Sequence, residues 1–251
     1  MPEHHRGRRP ANAGVTFRKD VLTRPECEAL LGAFSRRGSA AIRNAAMCAL
    51  SINAGPRLGE MVKAPYADLD LANGSFYVRY PKRDTKGRAF PRTVGLNAEA
   101  CALLERWVER RRKLGISPRA PLFCQIQQPC RGLAMHESGF REALKVAALK
   151  AGILRRVHPH MLRHTFAYLW VLERGHEDPG FLKLMRALGH RNVATTHIYI
   201  NHVLGVEVLE AMRAPVTAPA GPPDLMAMIR QAVGEALAGG GDTDLRQLLA
   251  P

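Results

Sequence analysis

This sequence of 251 residues predicts an α+β fold, mainly α-helical with one small antiparallel β-sheet. Three observations carry that expectation. Apolar residues recur at three- and four-residue steps through most of residues 97–188, which is the helical period. Strand-like patterning is confined to "SFYVRY" and "PRTVGL", which flank a basic, glycine-containing turn. Helix start and stop residues punctuate the segments on either side.

Taken in order, residues 1–20 are polar, basic and without periodicity, and are expected to form a flexible arm. "LTRPECEALLGAFSRRG" starts a helix, with Thr23 as N-cap and Glu26 closing a capping box three residues on. "AAIRNAAMCALSINAG" is a second, apolar-rich helix that stops near Gly55. The sheet signal follows. Helices are then expected over 97–114, about 137–151, 160–174 and about 180–188. "RAPVTAPAGPPD" reads as a Pro/Ala linker, and "LMAMIRQAVGEALAGGG" beyond it can form one amphipathic helix. The expected division is an arm (1–20), a main domain (21–213) and a short acidic tail (214–251).

Composition narrows the partners. The formal charge is +15, and residues 214–251 contribute −2 of it, so the preceding body carries +17. Such a field attracts polyanions and gains affinity by counterion release, which makes nucleic acid the expected partner, with a merely soluble basic surface as the plain alternative. Five cysteines at scattered spacings, none in a CxxC pair, suggest neither a disulfide framework nor a cysteine zinc site. No run reaches the roughly 18 to 20 apolar residues needed to span a bilayer, and the N-terminus lacks the apolar stretch of a secretion signal. A cytoplasmic location, with no membrane partner, is expected.

Four stretches can carry chemistry. In "HPHMLRHTFAYLW" a helix starting near Pro159 sets His160 and Arg163 on one face, able to reach one oxyanion together. His160 and His164 also have the spacing of a zinc pair, but the glutamate of a zinc hydrolase is lacking and Arg163 would place a cation beside the metal. The plain alternative is a helix N-terminus with a packed His164. In "NAGPRLGEMVKAP", Arg57 and Glu60 are three apart; a carboxylate there would orient the guanidinium fork for a phosphate, or the two form a surface pair of small value. In "YPKRDTKGRAFPRTV", Lys82, Arg83, Lys86, Arg88 and Arg92 crowd a hairpin tip, either as a DNA-backbone contact or as a solvated charge run. A lysine there can also protonate a leaving oxygen. In "LMRALGHRNVATTHIYIN", His190 follows the helix-ending Gly189 and Tyr199 comes nine residues later.

Together, "AGPRLGE", "DTKGRAFPRTVGL", "HPHMLRHTFA" and "LGHRNVATTHIYIN" resemble the catalytic domain of the tyrosine recombinases, the phage integrase family, over about residues 21–213. The resemblance implies that Arg57, Lys86, His160, Arg163 and His190 surround one scissile phosphate and that Tyr199 attacks it, with Glu60 and His164 in support. Lys82 shares the turn with Lys86 and is the alternative lysine. The implied activity is site-specific DNA recombination through a covalent 3′-phosphotyrosyl intermediate, of the kind that mobile genetic elements use for integration. It needs no cofactor, neither ATP nor metal.

A type IB topoisomerase shares this chemistry, and a DNA-binding accessory factor without strand exchange is the alternative from another class. Family members carry a helical DNA-binding domain ahead of the catalytic one, whereas residues 1–20 alone precede the first expected helix here. The family's C-terminal helix docks on a neighbouring subunit, and "HVLGVEVLEAMRAP" is its counterpart. The implied assembly is a homotetramer on DNA or a complex with a partner recombinase, in the cytoplasm and associated with the nucleoid.

Overall fold

Helix α2 (Ser39–Ala54) is the axis around which four other helices pack. Nearly every residue from Ile42 to Ala54 is buried, and the many alanines let α1, α4, α5 and α6 approach it closely from different sides. A computed structural model of the chain describes residues 21–35, 37–81, 90–174, 180–190 and 196, all within one compact unit. The basic arm, the hairpin tip 82–89, Tyr199, "HVLGVEVLEAMRAP" and the acidic tail lie outside the described residues.

Helix α1 (Arg24–Gly32) begins as its sequence dictates: the Thr23 hydroxyl accepts from the Glu26 N–H, and Glu26 accepts from the Thr23 N–H at 2.8 Å. The Glu26 carboxylate also takes both arms of Arg155, at 2.5 and 2.6 Å. That bond holds the carboxyl down to about 2, well below the usual carboxylate range. A second tie comes from the buried Thr165 hydroxyl on α6, which accepts from the Leu22 N–H at 2.9 Å. Helix α2 ends at Gly55 in the left-handed conformation (φ 66°), as the sequence predicts.

Beyond α2 come the short helix α3 (Leu58–Val62) and a 3₁₀ turn (Tyr66–Asp68), neither foreseen from periodicity. The sheet has three antiparallel strands in the order β1 (Leu69–Asp70), β2 (Ser75–Val78), β3 (Arg92–Gly95). Phe76 pairs with Val94 in register, and Phe76, Val78 and Val94 are buried, so one face meets the core. The two expected strands are each shorter than their sequence signal. Arg79 leaves the ladder to bind the fully buried carboxylate of Asp68, with Nε 3.0 Å from Oδ1. The two-residue β1 is too short for alternation to reveal.

Helix α4 (Ala98–Lys113) is capped by Asn97, whose side chain accepts from the Ala100 N–H at 2.9 Å. Its Trp107 is fully buried and donates Nε1–H to the Leu122 carbonyl at 2.8 Å, pinning the connection to α5. Truncating such a residue typically costs about 3–5 kcal/mol. Helices α5 (Glu137–Lys150), α6 (Pro159–Arg174) and α7 (Gly180–Leu188) fall where the helical period places them. The main core involves α1 to α6 and the sheet; a smaller apolar cluster of Phe166, Val171, Phe181, Leu184 and Leu188 joins α7 to α6. No helix among the described residues is long and apolar enough to cross a membrane.

Candidate active site

Four helix ends meet at one place: the C-termini of α2 and α7 and the N-termini of α3 and α6. Helix ends leave backbone groups without intrahelical partners, and side chains that satisfy them are thereby held in fixed positions. Here Glu60 and Arg163, both singled out by the sequence, are among those side chains.

Arg57 is the extended N-cap of α3 (φ −73°, ψ 150°). Glu60, one turn on, accepts from the Arg57 N–H at 2.8 Å and from its Nη1 at 3.1 Å, so backbone and guanidinium are oriented together. The Arg57 side chain keeps 27% of its surface exposed while Glu60 keeps 2%, so the pair is a half-open cation on a buried anion. Burial pushes the Glu60 carboxyl up, but the Arg92 hydrogen bond and the charges of Arg92 and Arg57 outweigh it and hold it below its ordinary value.

Arg163 is buried in the middle of this junction, 2% exposed. Its Nη1 donates to the Gly55 carbonyl at 2.5 Å and its Nη2 to the Leu188 carbonyl at 2.6 Å, so one guanidinium caps the ends of α2 and α7. Nη2 also lies 3.1 Å from His190 Nε2. On the other side of the ring, His190 Nδ1 lies 2.9 Å from the Thr196 hydroxyl. The backbone of His190 is fixed as well. Gly189 is left-handed (φ 66°), its N–H reaches the Arg186 carbonyl, and the His190 N–H reaches the Met185 carbonyl at 3.0 Å, a Schellman ending.

His160 stands at the exposed start of α6, one turn before Arg163, with its ring stacked on that of His164 at 5.8 Å between centroids. It shares with Arg57 an open groove of about 800 Å³ that also takes in Arg141, Lys145, Arg155 and Arg156, together with the carboxylates of Glu137 and Glu142. Cations outnumber carboxylates in that lining, a balance that suits a polyanion. His158, without a role in the sequence reading, caps α6: its Nδ1 accepts from the Met161 N–H at 3.2 Å. Nothing in "HPHM" distinguishes that job from a phosphate contact. Thr196, fully buried, was missed because a threonine within "ATTH" carries no signal of its own.

Arg92 departs from expectation. Instead of pointing from the hairpin tip toward DNA, its side chain is 8% exposed and its Nη2 lies 2.8 Å from Glu60 Oε2. Lys82, Arg83, Lys86, Arg88 and Tyr199 lie outside the described residues. Among the described residues no group of three His, Cys, Asp or Glu side chains is arranged to hold a metal.

A model of the phage integrase family matches residues 20–204. The chain belongs to that family. This integrase-family chain is 32% identical over 159 residues to tyrosine recombinase XerC of Escherichia coli O127:H6 (strain E2348/69 / EPEC), covering 63% of this chain and 48% of XerC. It therefore spans about half the length of the curated relatives it matches. The crystal structure of XerA recombinase superposes with a TM-score of 0.62 at 27% identity, covering 81% of this chain and 69% of that one. XerH site-specific recombinase, bound to palindromic difH substrate in a post-cleavage complex, gives 0.61 at 24% identity over 78% and 53%, a likeness of fold. The helical fold with its three-stranded sheet is that of a tyrosine recombinase catalytic domain.

Proposed function

We propose that residues 21–213 form the catalytic domain of a site-specific DNA recombinase that cuts and rejoins strands through a covalent 3′-phosphotyrosyl intermediate. The observation that carries this reading is the convergence of Arg57 on Glu60 with Arg163 and His190, in a chain of the phage integrase family. The Tyr199 phenol oxygen attacks the scissile phosphorus and the bond to the 5′-oxygen breaks. His160 takes the phenolic proton, while Lys86, or Lys82 from the same turn, gives a proton to the departing oxygen. Arg57, Arg163 and His190 supply donors where negative charge builds in the five-coordinate transition state. The phosphotyrosine retains the bond energy, so a 5′-hydroxyl of another strand reverses the step with neither ATP nor metal. The basic groove supports duplex DNA as substrate. A homotetramer on DNA, or a complex with a partner recombinase, would pair the two strands, and the setting is a mobile element acting in the nucleoid. The XerC and XerA likenesses favour this reading over a topoisomerase.

The test is a nicked duplex, built from the DNA flanking the gene, that loses its short cleaved fragment. The wild-type protein is expected to accumulate as an adduct joined through Tyr199 to a 3′-phosphate, in the presence of chelator. Tyr199→Phe is expected to bind that DNA equally and form no adduct. Equal adduct from Tyr199→Phe, or a strict need for a divalent metal, overturns the mechanism.

A further inference from the structure

Arg92 opens β3, far in sequence from every other described residue of the site, and yet its guanidinium touches both sides of it. Nη2 and Nη1 face the two Glu60 oxygens at 2.8 and 3.3 Å, and Nε donates to the Ala187 carbonyl at 2.7 Å. The guanidinium also packs against Gly189, where a Cβ built on the backbone would stand 3.0 Å from Arg92 Nη1 and 3.2 Å from Cζ, so that any side chain there presses on Arg92. Glu60 in turn holds Arg57 by its backbone and its side chain. A continuous set of bonds thus runs from Arg57 through Glu60 and Arg92 to the carboxyl end of α7, three residues before His190. Arg163 makes a parallel crossing from Gly55 to Leu188.

We propose that Arg92 is a positioning residue of the recombinase site, a brace that fixes Arg57 and His190 relative to each other by tying Glu60 to the end of α7. The inference rests on the recombinase reading. Its physical basis is the planar fork: one guanidinium can satisfy a carboxylate with two nitrogens and a helix carbonyl with the third, whereas a lysine ammonium at that place keeps the charge without that geometry. Misplacing a catalytic group by an ångström can slow a reaction on the order of a hundredfold with little change in binding.

The experiment compares wild type, Arg92→Lys, Glu60→Gln and the double variant by duplex DNA affinity and by single-turnover adduct formation on the nicked site. A third measurement follows the ¹⁵N signals of the His190 ring in the free protein. Each single variant is expected to bind DNA within about twofold of wild type and to form adduct roughly 10- to 100-fold more slowly, and the double variant no more slowly than the worse single. The His190 signals are expected to move in Arg92→Lys. Losses that multiply in the double variant, an unchanged adduct rate, or weakened binding with an unchanged rate overturn the brace; the last makes Arg92 a DNA contact. Should Arg92→Lys fail to fold, Arg92→Gln, which keeps an amide donor for Ala187, takes its place with the same expected outcomes. Absence of adduct from the wild type rejects the recombinase reading, and the His190 signals then decide the brace by themselves: movement supports it and constancy overturns it.

Discussion

Arg163 and Arg111 are chemically the same residue in nearly the same burial, each 2% exposed on a long helix and each donating to backbone carbonyls. They differ in where those carbonyls are. Arg111 spends its donors on Ser117, Ala120, Pro121 and Leu122, all in the loop that follows its own helix, and lays its guanidinium 4.8 Å above the Tyr66 ring. Arg163 reaches Gly55 and Leu188, 108 and 25 residues away, at the ends of two other helices. Burial of an arginine against carbonyls is therefore no mark of chemistry in itself. An arginine that closes a local loop acts on the stability of that loop, while one that joins distant helix ends also fixes the groups those ends carry.

The contrast breaks most visibly at Arg163. Arg163→Lys is expected to bind DNA nearly as wild type and form adduct about a hundredfold more slowly, on the order of 3 kcal/mol of transition-state stabilisation, by single-turnover cleavage of the nicked duplex. Arg111→Met is expected to do the reverse. It strands several loop carbonyls and lowers unfolding stability by about 2–4 kcal/mol in urea titrations, while the adduct rate per folded molecule is unchanged. Slower chemistry in Arg111→Met at full stability would erase the distinction.

A smaller effect sharpens it at the surface, where the Glu26–Arg155 pair also joins distant segments but stands partly in solvent. The Glu26 carboxyl titrates near 2 when folded and in the ordinary carboxylate range, near 4.5, when unfolded. Its contribution is therefore fully present above about pH 4.5 and lost as the pH falls toward 2. With screening it is worth about 1 kcal/mol. Glu26→Gln, which keeps the capping geometry, is expected to flatten the acid limb of stability by that amount, and an unchanged limb would remove the pair from the account.

Much of this architecture is legible in the sequence because helix ends are written in local chemistry. Thr23 with Glu26, Gly55, Pro159 and Gly189 mark their boundaries through bonds made within a few residues. The roles of the arginines are not legible in that way. Arg92 stands in a run with Lys82, Arg83, Lys86 and Arg88, and Arg111 in "ERRRKLG"; nothing in either run says which cation turns inward. That choice is made by acceptors distant in the sequence or in a loop without periodicity. The ordered motif set located Arg57, Glu60, Arg163 and His190, which the structure does bring together, whereas the inward Arg92, the capping His158 and the buried Thr196 appear only with the fold.

Gly55 performs three services with no side chain at all. It turns the chain at φ 66°, lends its carbonyl to Arg163, and leaves room for the Phe166 ring, whose Cδ1 would stand 2.4 Å from an added Cβ. In an alanine scan scored by activity, this position is expected to rank beside the proposed nucleophile, although it has no side chain that could take part in a reaction. A screen for essential positions in this chain therefore reports steric vetoes and reacting groups in the same readout, and only a rate measured on the folded fraction separates the two.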